Sequence, residues 1–140
     1  MLHFNKRSYK KYKPYIYFGL LLAGIFIASY ITDFFEKKSN DKLRLNWRLN
    51  VCVIESVRFF SGRSGGDRIE YTYYVNDENF KGDYSIGSLR SKSKYRSTKG
   101  KEWTIAYDST DYSNSALLLK IEDYHKFDIP YSGQEVLDDD

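Results

Sequence analysis

With 140 residues, the chain has room for one small domain and a membrane anchor but not for two domains. Its charges nearly balance, with 22 basic and 19 acidic residues, and five of the basic residues precede the first apolar segment. The remainder is therefore slightly acidic, which gives no reason to expect nucleic-acid binding. The single cysteine excludes a disulfide within the chain.

An uncharged apolar segment extends from Tyr15 to Thr32. As a helix it spans roughly 27 Å, close to the ~30 Å hydrocarbon core of a bilayer. It lacks the polar stripe of a soluble helix, and Phe26-Ile27-Ala28 supplies only part of a signal-peptidase site. We therefore predict a transmembrane helix at residues 14–35, with a cleaved signal peptide and a buried soluble helix as the alternatives.

The charges beside this helix predict its orientation. Residues 1–13 form a basic tail without acidic residues, whereas the basic residues after the helix are spread among acidic ones. Basic residues close to a transmembrane helix favour the cytoplasmic side. We expect a single-pass signal anchor with its N-terminus in the cytoplasm and the remaining chain outside.

The segment after the helix, residues 36–48, is charged and predicts a short spacer. Residues 50–60 are then rich in β-branched and aromatic side chains, which is typical of a strand. The apolar residues Val51, Val53, Val57 and Phe59 share one parity, and Glu55 interrupts that face. This interruption indicates a strand end or a β-bulge at Glu55.

Residues 68–75 show the clearest alternation, with one face formed by Ile69, Tyr71, Tyr73 and Val75. Three further strands are predicted at residues 80–86, 102–107 and 116–121.

A closed arrangement of these strands leaves no long unpaired sheet edge, and such edges promote aggregation. The predicted fold is mainly β with one N-terminal transmembrane α-helix: a small five-stranded antiparallel barrel or sandwich at residues 49–121. Residues 122–140 end in three aspartates and predict a disordered acidic tail.

Several motifs of the predicted strands resemble a bacterial family called domain of unknown function 3592. They are Tyr71-Thr72-Tyr73-Tyr74-Val75, Phe80-Lys81-Gly82, Gly100 through Tyr107-Asp108, and Ser115-Ala116-Leu117. The turn at Asp77 and the absence of a proline after Asp108 depart from the family pattern. The resemblance covers about residues 51–119 and implies a small barrel-like module beside a transmembrane helix, with no catalytic residues.

The segment from Arg90 to Lys101 is the candidate binding surface. It is basic and contains no acidic residue; its functional candidates are Arg90, Lys92, Lys94, Tyr95, Arg96, Lys99 and Lys101. In an extended conformation, the first four cations project from one face and form a cationic comb for an acidic partner. The simpler interpretation is a solvated loop whose lysines protect a strand edge.

Catalytic and metal chemistry have little support. His3 lies in the basic tail, so a catalytic or metal site would depend on His125 with Asp123 and Asp128, whose spacing fits no standard site. We predict no catalytic residue, cofactor, metal or small-molecule substrate.

The leading hypothesis is a non-enzymatic membrane-anchored β module that binds a protein or an envelope component. The alternative is a structural accessory subunit of a larger membrane complex, in which small residues such as Gly19 and Gly24 pack the helix against others.

Overall fold

The structure is a computed structural model that describes residues 6–59, 66–87 and 92–137, with side chains from residue 14 onward. The chain divides into two compact units, residues 1–38 and 39–140. The elements in chain order are α1 (Lys6–Asn46), β1 (Trp47–Arg58), β2 (Asp67–Val75), β3 (Glu78–Ile86), α2 (Lys92–Arg96), β4 (Glu102–Asp108), β5 (Asp111–Leu117) and α3 (Ile121–Lys126).

The described residues of the first unit belong to α1 and include its long apolar part. Among the described residues, one helix is long and apolar enough to cross a membrane, and its apolar stretch is not buried within the protein. Phe26 and Tyr30, for example, are each 73% exposed. Without a membrane or partner, such exposed apolar side chains are costly in water, which is consistent with a membrane anchor or a signal sequence.

The predicted spacer at residues 36–48 is corrected by the structure, because α1 continues to Asn46 and β1 begins at Trp47. The last turns of α1 pack on the β domain through Leu43, which is 1% exposed. Ser39 donates a 2.7 Å hydrogen bond to the Asn114 side chain, whose amide donates back to the Ser39 carbonyl at 3.0 Å. Leu43, Leu45 and Trp47 alternate along this segment and do not show the spacing of a helix face, so the sequence did not indicate this packing.

The five strands form one antiparallel sheet in the order β3-β2-β1-β4-β5, with β1 at its centre. The sheet curves until its edge strands β3 and β5 approach each other, so that it is nearly barrel-shaped. The predicted mainly β fold with one N-terminal apolar helix is confirmed.

A β-bulge at Glu55 changes which side chains of β1 face the interior. Before the bulge, Cys52 and Ile54 are buried while Val51 and Val53 are 52% and 43% exposed. After it, Val57 packs against the core. The predicted irregularity at Glu55 is confirmed, but the apolar residues of β1 do not share one face because the extra residue inverts the alternation.

Two tyrosines of β2 close the gap between β3 and β5. The Tyr71 ring crosses Gly82 of β3, and its hydroxyl lies 3.1 Å from the Ser115 hydroxyl of β5. The Tyr73 hydroxyl donates to the Tyr112 carbonyl, and Phe80 stacks on the Tyr73 ring at 5.7 Å between centroids. Side chains rather than a backbone ladder therefore join these edges among the described residues.

The predicted disordered tail at residues 122–140 is wrong for its described part. Helix α3 occupies residues 121–126, and Tyr124, Phe127 and Ile129 form a second apolar cluster with Leu43 on the outer side of the sheet. The Leu137 amide donates a 2.7 Å hydrogen bond to the Leu119 carbonyl. Apolar residues that alternate with charges supply this packing, whereas Asp138, Asp139 and Asp140 lie outside the described residues.

The last predicted strand is displaced, because β5 occupies Asp111–Leu117 rather than residues 116–121. Its mostly polar residues suit an edge strand that is covered on one face only.

The close approach of Tyr71 to Gly82 predicts the effect of a single methyl group. A Cβ at position 82 lies 2.3 Å from the Tyr71 ring, so we expect Gly82→Ala to lower the free energy of unfolding by about 1–3 kcal/mol. Urea unfolding of the full chain in detergent, followed by fluorescence of Trp47 and Trp103, measures this change.

Gly87→Ala is the matched control, because a Cβ at that position meets no atom of the described residues within 4 Å. It is expected to change stability by less than about 0.5 kcal/mol. Equal effects of the two substitutions contradict a closure that depends on the Tyr71 ring.

Candidate binding surface

The basic segment is helical where the cationic comb requires an extended chain. Residues 92–96 form α2, and residues 97–100 form turns, so alternate cations do not share one face. The prediction of a cationic comb on an extended segment is therefore wrong for the described residues. Arg90, its first cation, lies outside them. The segment nevertheless places Arg96, Lys99 and Lys101 on the surface, and we call these three residues the cationic turn.

Two buried side chains hold the cationic turn in place. Tyr95 is 3% exposed and belongs to the main core, so it supports the surface rather than forming it. Thr98 is fully buried, and its hydroxyl donates a 2.7 Å hydrogen bond to the Tyr95 carbonyl. These contacts stabilise one conformation of the turn before any ligand arrives.

The backbone of β1 fixes the other end of the turn. The Gly100 amide donates to the Ile54 carbonyl at 2.8 Å, and the Ile54 amide donates to the Lys101 carbonyl at 3.2 Å. Gly100 has a φ of 76°, a conformation that favours glycine. The cationic turn thus meets β1 roughly 23 Å from Trp47, where that strand begins.

The Phe59 ring contacts two cations of α2. The Lys92 ammonium and the Arg96 guanidinium lie 5.4 Å and 5.2 Å from the centre of its ring, which are cation–π distances. Lys92 also pairs with Asp67 at 3.7 Å, whereas Lys94 is half-buried. The sequence alone did not indicate the roles of Phe59, Thr98 and Ile54, because those roles depend on the folded contacts of the cationic segment.

The three cations of the cationic turn differ in ion pairing from the cation of α2 beside them, Lys92, and from several cations of the sheet. Carboxylates lie within 4 Å of five described cations: Arg44, Arg58, Arg68, Lys81 and Lys92. No such ion pair is found for Arg96, Lys99 or Lys101 among residues 66–87 and 92–137 or elsewhere in the described chain. Their positive charge is therefore available to an external anion.

A cleft of about 350 Å³ on the outer face of the sheet is a weaker candidate. Its carboxylates, Glu55, Glu70 and Asp83, each have a cationic partner within the same face. Ser56 and Thr72 donate further hydrogen bonds to Glu70 and Glu55. The cleft is thus electrically balanced by its own side chains.

The polar residues near α3 serve the fold. The Asp123 carboxylate accepts 2.9 Å hydrogen bonds from the Leu119 and Lys120 amides, and burial raises its pKa despite these bonds. Asp128 lies 3.7 Å from Arg44, and His125 is exposed on α3. Across the described ranges, no group of three or more His, Cys, Asp or Glu residues is arranged to hold a metal ion.

Cys52 is a buried core residue with an exposed fraction of 1%. Burial raises the pKa of its thiol from 9.0 to about 12, so the reactive thiolate is rare at neutral pH.

No match is found when the chain is compared with protein-family models, with curated proteins or with solved structures. The resemblance to the domain of unknown function 3592 family stays a prediction.

The buried acids Cys52 and Tyr71 predict a loss of stability in alkali. Burial raises the pKa of both groups, so the folded state retains protons that the unfolded state releases. Their contribution is complete below pH 9.0 and is lost as the pH rises towards about 12. We expect the free energy of unfolding to fall through this window.

Urea unfolding at a series of pH values tests this dependence, with Cys52→Ala as the comparison. The substitution removes the thiol titration and is expected to make the decline shallower near its onset, while Tyr71 still titrates. A stability independent of pH, or an unchanged slope in Cys52→Ala, contradicts the assignment.

Proposed function

We propose that the chain is a membrane-anchored, non-enzymatic β module whose cationic turn binds an acidic region of a protein or an anionic envelope component. The observation that carries this proposal is the uncompensated charge of Arg96, Lys99 and Lys101 on an exposed turn. Opposite charge on a partner accelerates encounter and selects among partners.

The support for binding comes from the prior ordering of the turn. Tyr95 and Thr98 are buried, and the backbone on both sides of Gly100 is hydrogen-bonded. A surface that is already ordered loses less conformational entropy when a ligand binds. The side chains of Lys99 and Lys101 are exposed, which suits a partner recognised by charge rather than by shape.

The proposed location places α1 in a membrane, with the N-terminus in the cytoplasm and the β domain outside. Its support is the exposed apolar stretch of α1 and the dense basic sequence before it. The cationic turn lies far along β1 from Asn46, where α1 ends, so it remains accessible to envelope partners.

Site-specific photocrosslinking in intact cells tests the binding role. A photoreactive amino acid at Lys99 is expected to give adducts with a partner, because this side chain is exposed in the cationic turn. The combined substitutions Arg96→Gln and Lys101→Gln are expected to reduce the adducts about ten-fold, since each lost charge contact weakens binding by about 0.5–1 kcal/mol or more.

Two controls give this experiment its specificity. A photoreactive residue at Ser113 samples an exposed position on β5, away from the turn. The substitutions Lys37→Gln and Arg48→Gln remove equal charge elsewhere. Equal adducts at positions 99 and 113, or equal losses from both charge variants, contradict a binding role for the cationic turn.

A further inference from the structure

An apolar strip lies exposed on the outer face of the sheet. Leu49, Val51 and Val53 project outward from β1 with exposed fractions of 40%, 52% and 43%, and Tyr74 on β2 is 61% exposed. Asn50 donates a 2.7 Å hydrogen bond to the Tyr74 carbonyl, which holds the two strands together at this point. The second apolar cluster covers the neighbouring Ala106 of β4 but leaves this strip open. Contiguous exposed apolar groups of this kind mark interaction surfaces.

Opposite charges flank the two sides of the strip. In one row across the sheet, Val53 pairs with Thr72 of β2, Thr72 pairs with Lys81 of β3, and Val53 pairs on its other side with Glu102 of β4. Lys81 therefore lies on the β3 side, where its exposed ammonium is also 3.9 Å from the Glu55 carboxylate of the same chain. Glu102 lies on the β4 side, about 14 Å from Lys81 across three strand spacings. Glu135 adds a second carboxylate on the β4 side, beside Val51.

This arrangement of charged and apolar side chains is complementary to a second copy of itself that is related by a two-fold rotation. When two copies face each other about a two-fold axis parallel to the strands, β3 of each copy opposes β4 of the other. Each Lys81 then meets the partner's Glu102, and each Tyr74 meets the partner's Val51. A pocket of about 130 Å³, lined by Val51, Glu102, Trp103, Thr104 and Glu135, opens at the position that the partner's Tyr74 faces in this arrangement.

We propose that this outer face, formed by Leu49, Val51, Val53 and Tyr74 between Lys81 and Glu102, is the contact surface of a homodimer. A two-fold axis along the strands keeps the two copies of Asn46, where α1 ends, at the same end of the dimer. This arrangement suits two chains that are anchored in one membrane. The carboxylates of Glu102 and Glu135 disfavour an anionic lipid surface as the occupant.

The small area of the strip makes the dimer dependent on the anchor. Four partly exposed side chains bury less than the about 800 Å² per partner of a typical stable interface. Two chains confined to one membrane, however, meet at a high effective concentration, so a weak contact is sufficient.

Exchange of the two flanking charges tests the dimer in the full chain. Donor and acceptor dyes on Ser113→Cys report association in lipid vesicles by energy transfer; Cys52 is buried and remains in place. Lys81→Glu alone and Glu102→Lys alone are each expected to weaken dimerisation about ten-fold, because like charges then face each other twice. The double variant Lys81→Glu/Glu102→Lys is expected to restore the original energy transfer.

Restoration identifies contact between copies, because the two residues are too far apart to pair within one chain. Tryptophan fluorescence confirms that each variant is folded, and Lys126→Glu serves as a charge reversal at an exposed position outside both the strip and the cationic turn. The proposal is overturned if the unaltered chain shows no energy transfer above a random mixture in the membrane. It is also overturned if the single reversals have no effect, or if the double variant stays as weak as either single variant.

Discussion

The passage of the Tyr71 ring across Gly82 is the contact on which the closed sheet depends. Because glycine has no side chain, a residue of β2 reaches beyond β3 and meets Ser115 on β5. Tyr73 makes a parallel connection to Tyr112 one step along the sheet. These side chains cover the two strand edges that would otherwise expose unpaired backbone groups.

This closure separates two surfaces of the domain that have different properties. The interior contains the tyrosines, Cys52 and Tyr95, so the residue that supports the cationic turn belongs to the same core that closes the sheet. The exterior is divided between the α3 cluster, a balanced set of ion pairs and the exposed apolar strip. The bulge at Glu55 determines this division, because it directs Val51 and Val53 outward while Ile54 stays inside.

Local patterns predicted the features whose causes are local. The alternation of β2 placed Ile69, Tyr71, Tyr73 and Val75 on one face, which is buried in the structure, and Glu55 marked the bulge. The packing of α3 was not predictable in the same way. Tyr124, Phe127 and Ile129 stand among charged residues and become buried in a cluster with residues distant in the chain, including Leu43 and Ala106. The cationic segment was recognised by its charge, but its shape depends on Thr98 and on the distant backbone of Ile54.

Topology is the most direct test of a membrane-anchored β module. An impermeant thiol reagent is applied to intact cells that produce the full chain with a cysteine at either Ser8 or Ser113. Cys52 contributes no background because it is buried. A spanning helix with its N-terminus in the cytoplasm predicts labelling at position 113 in intact cells and at position 8 only after the membrane is permeabilised. Labelling of both positions in intact cells, or of neither, contradicts a spanning anchor, and labelling at position 8 alone contradicts the proposed orientation.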